Sequence, residues 1–435
     1  MSIVTTCNSC GLIQRLAGGT GAKARCARCD YVITHRSAAG PIETMFWALL
    51  LLGCLVIAAE DLFMSFTFAS GQNRVTLLGP PLETIRLGGA AVGMAVLFCT
   101  IVGPILWALG MLYVTAGLAS RMPGPGTAGL LRGMERLRPW VMFEVFLLGV
   151  LVTAGKLGHE GHLDYGRGFY MFLAALGVWI IIARRVKFQR FYELFEPCVD
   201  CPSNEHLVVA TDDAGDGLSP CATADTVVGC QTCGLAQRIP RCLADHELSC
   251  HRCGAAINED EFSAIKRCVV LTAIAAVLLL PANLVPIMRI AELGPAEPAT
   301  VWEGIKVLYF GGSPALAGLV FIASLCVPIA KVFAIIVLLL WRQPTRAATA
   351  RRLTKTHRFV ATIGRWSMVD MFVVALLIGL VQLGSLASVD PKPGAIAFLA
   401  VVVITIAAAE ELNPRVFWTR VRPQEPAPIP WPVVK

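Results

Sequence analysis

Eight apolar runs of roughly twenty residues, the length at which a helix crosses a bilayer, punctuate the chain. They lie near 44–64, 89–118, 139–158 and 168–186, then near 265–288, 314–341, 364–385 and 394–411. The pattern predicts eight transmembrane helices in two sets of four. A polar segment, 187–263, Asp- and Gly-rich at 200–220, separates the sets. The sets are copies of one another: RPWVMFEVFLLGVLVTAGKLG from Arg138 is answered by GRWSMVDMFVVALLIGLVQLG from Gly364. Trp140, Met142, Glu144 and Phe146 match Trp366, Met368, Asp370 and Phe372 at a constant offset of 226. Pro104 and Pro328 stand 224 apart, each inside the second helix of its set, where a missing N–H permits a bend. Helix five carries Pro281, Asn283 and Pro286, which predicts a break near its outer end, its freed carbonyls facing protein or water. VWEGIKVLYF from Val301 is too short to span and has Trp302, Ile305 and Leu308 at helical spacing, as in an interfacial helix on the outer face.

The expected fold is mainly α: a polytopic membrane protein of two tandem four-helix repeats, each preceded by a small ribbon of short β-strands. The boundaries read as ribbon 1–40, repeat 41–190, linker 191–225, ribbon 226–262, repeat 263–420 and Pro-rich tail 421–435. Composition agrees, since 56% of the 435 residues are hydrophobic and only 15% charged, with a mean hydropathy of +0.66. That is too apolar for a soluble chain of this size. The formal charge of +7 points to topology and not to nucleic acid, because the basic residues crowd beside apolar runs. Arg121, Arg132, Arg136 and Arg138 lie between helices two and three, and seven more, from Arg342 to Arg365, between six and seven. By the positive-inside rule both ribbons and both termini face the cytoplasm. With four helices per set, the repeats are parallel and related by an axis along the membrane normal. A Cys pair and polar residues precede the first apolar run, so no cleavable signal peptide is expected.

Sixteen cysteines could mean disulfides. Eight of them instead form two quartets on the segments placed in the cytoplasm, where thiols stay reduced. Cys7, Cys10, Cys26 and Cys29 form one quartet, and Cys230, Cys233, Cys250 and Cys253 the other, within CNSCGLIQR and its echo CQTCGLAQR. Paired knuckles at this spacing let four thiolates converge on one zinc, and a site without an open position is structural. A redox dithiol would not need paired knuckles. Cys198, Cys201, Cys221 and Cys242 leave room for a third metal site, though no four-cysteine spacing supports it.

Charged residues inside the apolar runs are costly and ask for a reason. Counting 1.5 Å per residue puts Lys331, Asp370 and Thr405 roughly 10–15 Å deep from the same side, on helices six, seven and eight. They read as one polar site, Lys331 paired with Asp370 and Thr405 completing the hydrogen bonds. A packing ion pair or a snorkelling lysine stem would look the same in sequence. The first repeat departs: Trp107 stands where Lys331 would, so Glu144 lacks that partner. Lys156, with His159 and Glu160, and Glu60 with Asp61, form an outer cluster that could equally be solvated among headgroups. No P-loop, GxSxG or HExxH motif is present, which argues against ATP hydrolysis and the commoner hydrolytic chemistries.

The duplicated ribbon, ERLRPWVMFEVFLLG, IGRWSMVDMFVV, LLPANLVPI and VFIASLCVPIAKV together resemble the paraquat-inducible protein A family over nearly the whole chain, the 198–222 insertion and the tail after Arg420 excepted. The resemblance implies a bacterial inner-membrane protein, not an enzyme. It implies a partner too, a mammalian-cell-entry (MCE) domain protein forming a periplasmic tunnel for lipids. The family's polar positions map onto Lys156, Lys331, Asp370 and Thr405, but the acid expected three places after Lys156 is His159 here. The leading expectation is a lipid transport subunit, with coupling to protons through Asp370 and Lys331 as its mechanism. A non-transporting anchor for the tunnel protein and a membrane thiol–disulfide reductase stay open.

Overall fold

A computed structural model describes residues 2–17, 24–34, 39–68, 71–120, 124, 126–157, 162–195, 225–240, 248–257, 261–292, 297–310, 314–380 and 387–421. The first ribbon is two hairpins, β1 (Ser2–Thr6) with β2 (Ile13–Ala17) and β3 (Ala24–Arg25) with β4 (Val32–Thr34). The first half opens with α1 (Pro41–Glu60), the hairpin β5 (Leu62–Phe68) and β6 (Gly71–Thr76), and the short α2 (Gly79–Arg86). Next come α3 (Ala90–Leu97), a π turn (Phe98–Val102), α4 (Gly103–Ala119) and α5 (Thr127–Leu137). A 3-10 turn (Arg138–Trp140), α6 (Phe143–Leu157), β7 (His162–Tyr165), α7 (Arg167–Arg185) and α8 (Phe188–Phe195) complete it.

The second ribbon contributes β8 (Asp225–Gly229) and β9 (Ala236–Pro240). The second half then repeats the first in order, beginning with α9 (Glu261–Leu284), β10 (Met288–Glu292), β11 (Glu297–Ala299) and α10 (Val301–Phe310). It continues with α11 (Pro314–Val320), a π turn (Phe321–Cys326), α12 (Val327–Leu340) and α13 (Ala347–Ile363). A 3-10 turn (Gly364–Met368), α14 (Val369–Leu380), β12 (Ala387–Pro391), α15 (Pro393–Glu411) and a last 3-10 turn (Pro414–Trp418) close it. Eight stretches of helix among the described residues are long and apolar enough to span a membrane, four in each half.

The duplication extends to irregularities that apolar patterning does not specify. The bend expected at Pro104 and Pro328 is a π turn just ahead of each proline, closed by Gly103 N–H to Phe98 O and by Val327 N–H to Ile322 O. The ring next in line cannot donate, and the preceding amide reaches one residue further back. Helix five is not broken at Pro281. It runs on to Leu284, while Asn283 Nδ2 donates to Leu279 O at 2.7 Å and Val285 N to Pro281 O at 3.0 Å. α10 forms where the sequence placed a short helix, started by a capping box in which Glu303 accepts from Thr300 N (2.7 Å) and Thr300 Oγ1 accepts from Glu303 N (3.3 Å).

The ends of the helices away from the ribbons carry more than loops. Each half builds a three-stranded antiparallel sheet, ordered β6-β5-β7 and β11-β10-β12. The first apolar run was read as helix to 64, but α1 stops at Glu60 and Leu62–Phe68 is strand. Phe63, Met64 and Phe66 are all buried, so hydropathy alone does not separate this strand from a helix end. Phe63 then packs edge-on against Phe169 and Phe172 at 5.6 and 5.8 Å, tying the sheet to α7.

The halves meet along α14. Phe146 of α6 touches Phe372 of α14 at 5.6 Å, and a Cβ at Gly149 would lie 2.9 Å from Phe372 Cβ. Asn73 of β6 donates to Gly379 O and Leu380 O at 3.3 and 3.1 Å, capping the end of α14 from the other half. A Cβ at Gly379 would fall 2.7 Å from Pro80 Cα, backbone that cannot yield as a side chain would. Gly379→Val is therefore expected to lower stability by about 1–3 kcal/mol, read as a drop in melting midpoint of the detergent-solubilised protein. An unchanged midpoint would show that α2 and α14 can separate freely.

Candidate functional site

Two features carry candidate chemistry: the cysteine quartets and a group of polar atoms inside the second half. In each knuckle a tight turn aims the thiols. Gly11 N bonds Cys7 O, Asp30 N bonds Cys26 O, Gly234 N bonds Cys230 O and Gly254 N bonds Cys250 O. All four turn residues take positive φ, between 61° and 76°, a conformation that glycine enters freely and Asp tolerates. The four thiols of each quartet are buried and lie within 4.8 Å of one another. Cys7 and Cys29 are 3.6 Å apart and Cys10 and Cys26 3.5 Å, with the same spacings between Cys230 and Cys253 and between Cys233 and Cys250. Metal–sulfur bonds of about 2.3 Å in a tetrahedron put sulfurs about 3.8 Å apart, so each quartet fits one ion. Beside the first quartet, burial raises the pKa of the Tyr31 phenol, while the neighbouring Arg358 guanidinium pulls it down.

The polar group sits where two helix irregularities face each other. The π turn Phe321–Cys326 packs against the 3-10 turn Gly364–Met368 and the start of α14. Four buried side-chain atoms here have no hydrogen-bond partner: Ser324 Oγ, Lys331 Nζ, Ser367 Oγ and Asp370 Oδ2. Ser324 lies beside the Asp370 carboxyl without closing a hydrogen bond. Lys331 is 4% exposed, and its amine lies over Gly364, where an added Cβ would stand 2.6 Å from Nζ.

Lys331 and Asp370 are thus not the ion pair that depth counting suggested. The six steps from Gly364 to Asp370 rise on the order of 10 Å along the helix, and Lys331 turns to the Gly364 end. The acid whose charge it feels is Glu410, in the last turn of α15, which also feels Arg136 of α5. Nor does Thr405 complete a pair: it is buried on α15 and donates to Val402 O at 2.9 Å.

The first half holds the same backbone devices with the polarity removed. Thr100 replaces Ser324 and is satisfied by Val96 O at 2.7 Å; Val141 replaces Ser367 and Trp107 replaces Lys331. Trp107 is fully buried, edge-on to Trp179 at 5.1 Å. Glu144, the counterpart of Asp370, is half-buried at the start of α6, as Asp370 is at the start of α14. The first half also leaves Trp107 Nε1 and Thr153 Oγ1 buried without partners, but the second half gathers Ser324, Lys331, Ser367 and Asp370 around one pair of facing turns, and buried groups left without partners ask for a ligand, an ion or water.

The outer group is less fully described. Asp61 meets Arg167 at 3.8 Å and Glu60 is exposed at the end of α1. Lys156 belongs to α6, but its side chain, with His159, Glu160, Cys198, Cys201, Cys221 and Cys242, lies outside the described residues. Sequence reasoning passed over Ser324, Ser367 and Glu410. Serine is near neutral in hydropathy and leaves no mark in an apolar run. Glu410 had a signal, an acid in the last turn of a spanning helix.

A family model described as Paraquat-inducible protein A matches residues 43–196 and 265–422. Lipophilic envelope-spanning tunnel protein A of Escherichia coli (strain K12) is 28% identical over 415 residues, covering 91% of this chain and 90% of its own. Intermembrane transport protein PqiA of the same strain is 28% identical over 415 residues, 95% of both chains. A probable intermembrane transport protein of Haemophilus influenzae is 24% identical over 426 residues, 95% of this chain and 94% of its own. No solved structure matches the chain.

Proposed function

This chain belongs to the paraquat-inducible protein A family, and from that premise we propose that it is a non-enzymatic lipid transport subunit of the bacterial inner membrane. Its relatives are named for intermembrane transport and for a lipophilic envelope-spanning tunnel. In this reading the ribbon ends of the helices and both termini face the cytoplasm, and the sheets face the periplasm. There they meet an MCE-domain tunnel protein that hands lipids over or takes them away. Each cysteine quartet holds one structural zinc: an all-thiolate tetrahedron suits that ion, and no position is left open for chemistry.

The observation that carries the reading is the set of four partnerless polar atoms, Ser324 Oγ, Lys331 Nζ, Ser367 Oγ and Asp370 Oδ2, inside one half of a membrane bundle. A scaffold would gain nothing from such a group, since each unmet polar atom costs about 1–3 kcal/mol. A transporter uses it: Asp370 takes up and releases a proton, Ser324 beside it stands ready to donate a hydrogen bond to the carboxylate, and Lys331 supplies positive charge toward a lipid phosphate or toward Glu410. The four-thiol clusters also disfavour a thiol–disulfide reductase, because all four sulfurs of each quartet converge within 4.8 Å, as one ion needs, and no pair is set apart.

The deciding experiment reconstitutes the protein in vesicles with labelled phospholipid and follows transfer to the purified tunnel partner, with and without a pH gradient. Transfer that depends on this protein and quickens with the gradient is expected. Efficient transfer from vesicles lacking the protein would remove the transport role, and indifference to the gradient would remove the proton coupling.

A further inference from the structure

Each ribbon stands astride the two halves, and it does so in the same way twice. In the first ribbon, the knuckle residue Asn8 accepts from Gln189 Nε2 of α8, in the first half, at 2.6 Å. Its second knuckle faces the other half. Arg351 of α13 donates to Arg28 O and Ala27 O at 3.0 and 3.2 Å, and Arg358 donates to Cys29 O at 2.8 Å. Arg28 in turn lies 4.6 Å over the Trp418 ring, beyond the end of α15.

The second ribbon mirrors this. Gln231 of its first knuckle exchanges two amide hydrogen bonds with Asn413, in the second half, at 3.1 and 2.7 Å. The second knuckle faces the first half, where Arg132 of α5 donates to Gly254 O at 2.9 Å. Arg132 and Arg358 are 226 positions apart, the offset of the duplication itself. The two ribbons also touch directly, through Thr6 N to Gly234 O at 3.1 Å.

We propose that the metal-loaded ribbons are a pair of crossed braces, each holding its own half by one knuckle and the opposite half by the other, so that metal occupancy fixes how the halves sit against each other. The carbonyls that Arg351, Arg358 and Arg132 grasp belong to knuckle turns, and those turns exist because four thiolates converge on an ion. A ribbon of about 35–40 residues has too little core to keep such turns without it. α13, the helix held by the first ribbon, runs straight into Gly364 and the 3-10 turn under Lys331. The brace therefore bears on the helix that leads to the polar group. This inference does not depend on what the protein transports.

The test measures a distance across the seam. Spin labels are attached through non-canonical residues at exposed positions 133 on α5 and 352 on α13, leaving every cysteine free, in full-length protein in nanodiscs. The metal-loaded protein is expected to give one narrow distance distribution, and stripping with a chelator to broaden or shift it. Arg132→Ala with Arg358→Ala should do the same while metal content stays at the wild-type value. Circular dichroism checks that helix content persists, and if the double variant loses it, Arg358→Ala alone is read in the same way. An unchanged distribution on stripping overturns the proposal. So does a change on stripping that the arginine variant fails to reproduce with its metal in place, because the metal would then act by another route than these bonds.

Discussion

Asp370→Asn is expected to abolish lipid transfer, by roughly a hundredfold or more, the low end of what a positioned proton-transfer group contributes. Metal content and expression should stay at wild-type levels. Asparagine keeps the shape of the side chain and can still meet Ser324, but it no longer gains or loses a proton. The surroundings leave little room for other effects, since Val369, Met371 and Phe372 are buried around it and Oδ2 has no hydrogen bond to lose. Melting of the variant should accordingly be unchanged or raised, because removing an unmatched buried charge relieves a cost. The check is vesicle-to-partner transfer under an imposed pH gradient. Wild-type rates in the variant would end the role of Asp370 as the proton-carrying group.

Lys331→Met should separate function from stability even more sharply. The lysine is buried, its Nζ makes no hydrogen bond, and the stem already lies among apolar neighbours on α12. Methionine fills nearly the same volume, and replacing a buried charge by a well-packed apolar group is neutral or stabilising by about 1–4 kcal/mol. A higher or equal melting midpoint together with transfer at background is the expected pair of results. A large fall in the midpoint would mean that the amine holds the fold through Glu410 and is a structural group. Transfer at wild-type rate would remove Lys331 from the mechanism.

Much of the architecture was legible because it rests on local, repetitive signals. Hydropathy marked eight spans, the 226-residue echo marked the duplication, and the knuckles Cys7–Cys10 and Cys230–Cys233 marked the ion sites. Depth counting paired Lys331 with Asp370, but the two side chains do not bond: Lys331 Nζ is buried without a hydrogen bond. A rise per residue fixes height along one helix, but says nothing of where a flexible four-carbon stem turns. Lys331 turns toward Gly364, a residue whose missing side chain leaves space for it. The sheets escaped notice because Leu62–Phe68 continues the apolar run of α1, with Phe63 to Phe66 all buried, and Ser324 and Ser367 escaped because a hydroxyl barely alters the hydropathy of its run.

By itself, then, the sequence determined the eight spans, their order, the doubling and the two four-thiol sites, for each is encoded in spacing along the chain. Tertiary structure decided everything that depends on which segments meet: the crossing of each ribbon onto the opposite half, α14 at the seam under Asn73 and Pro80, and Lys331 held apart from Asp370. Residues such as Arg132 and Gly254, or Arg358 and Cys29, are more than a hundred positions apart. No periodicity links such residues, and only packing brings them together.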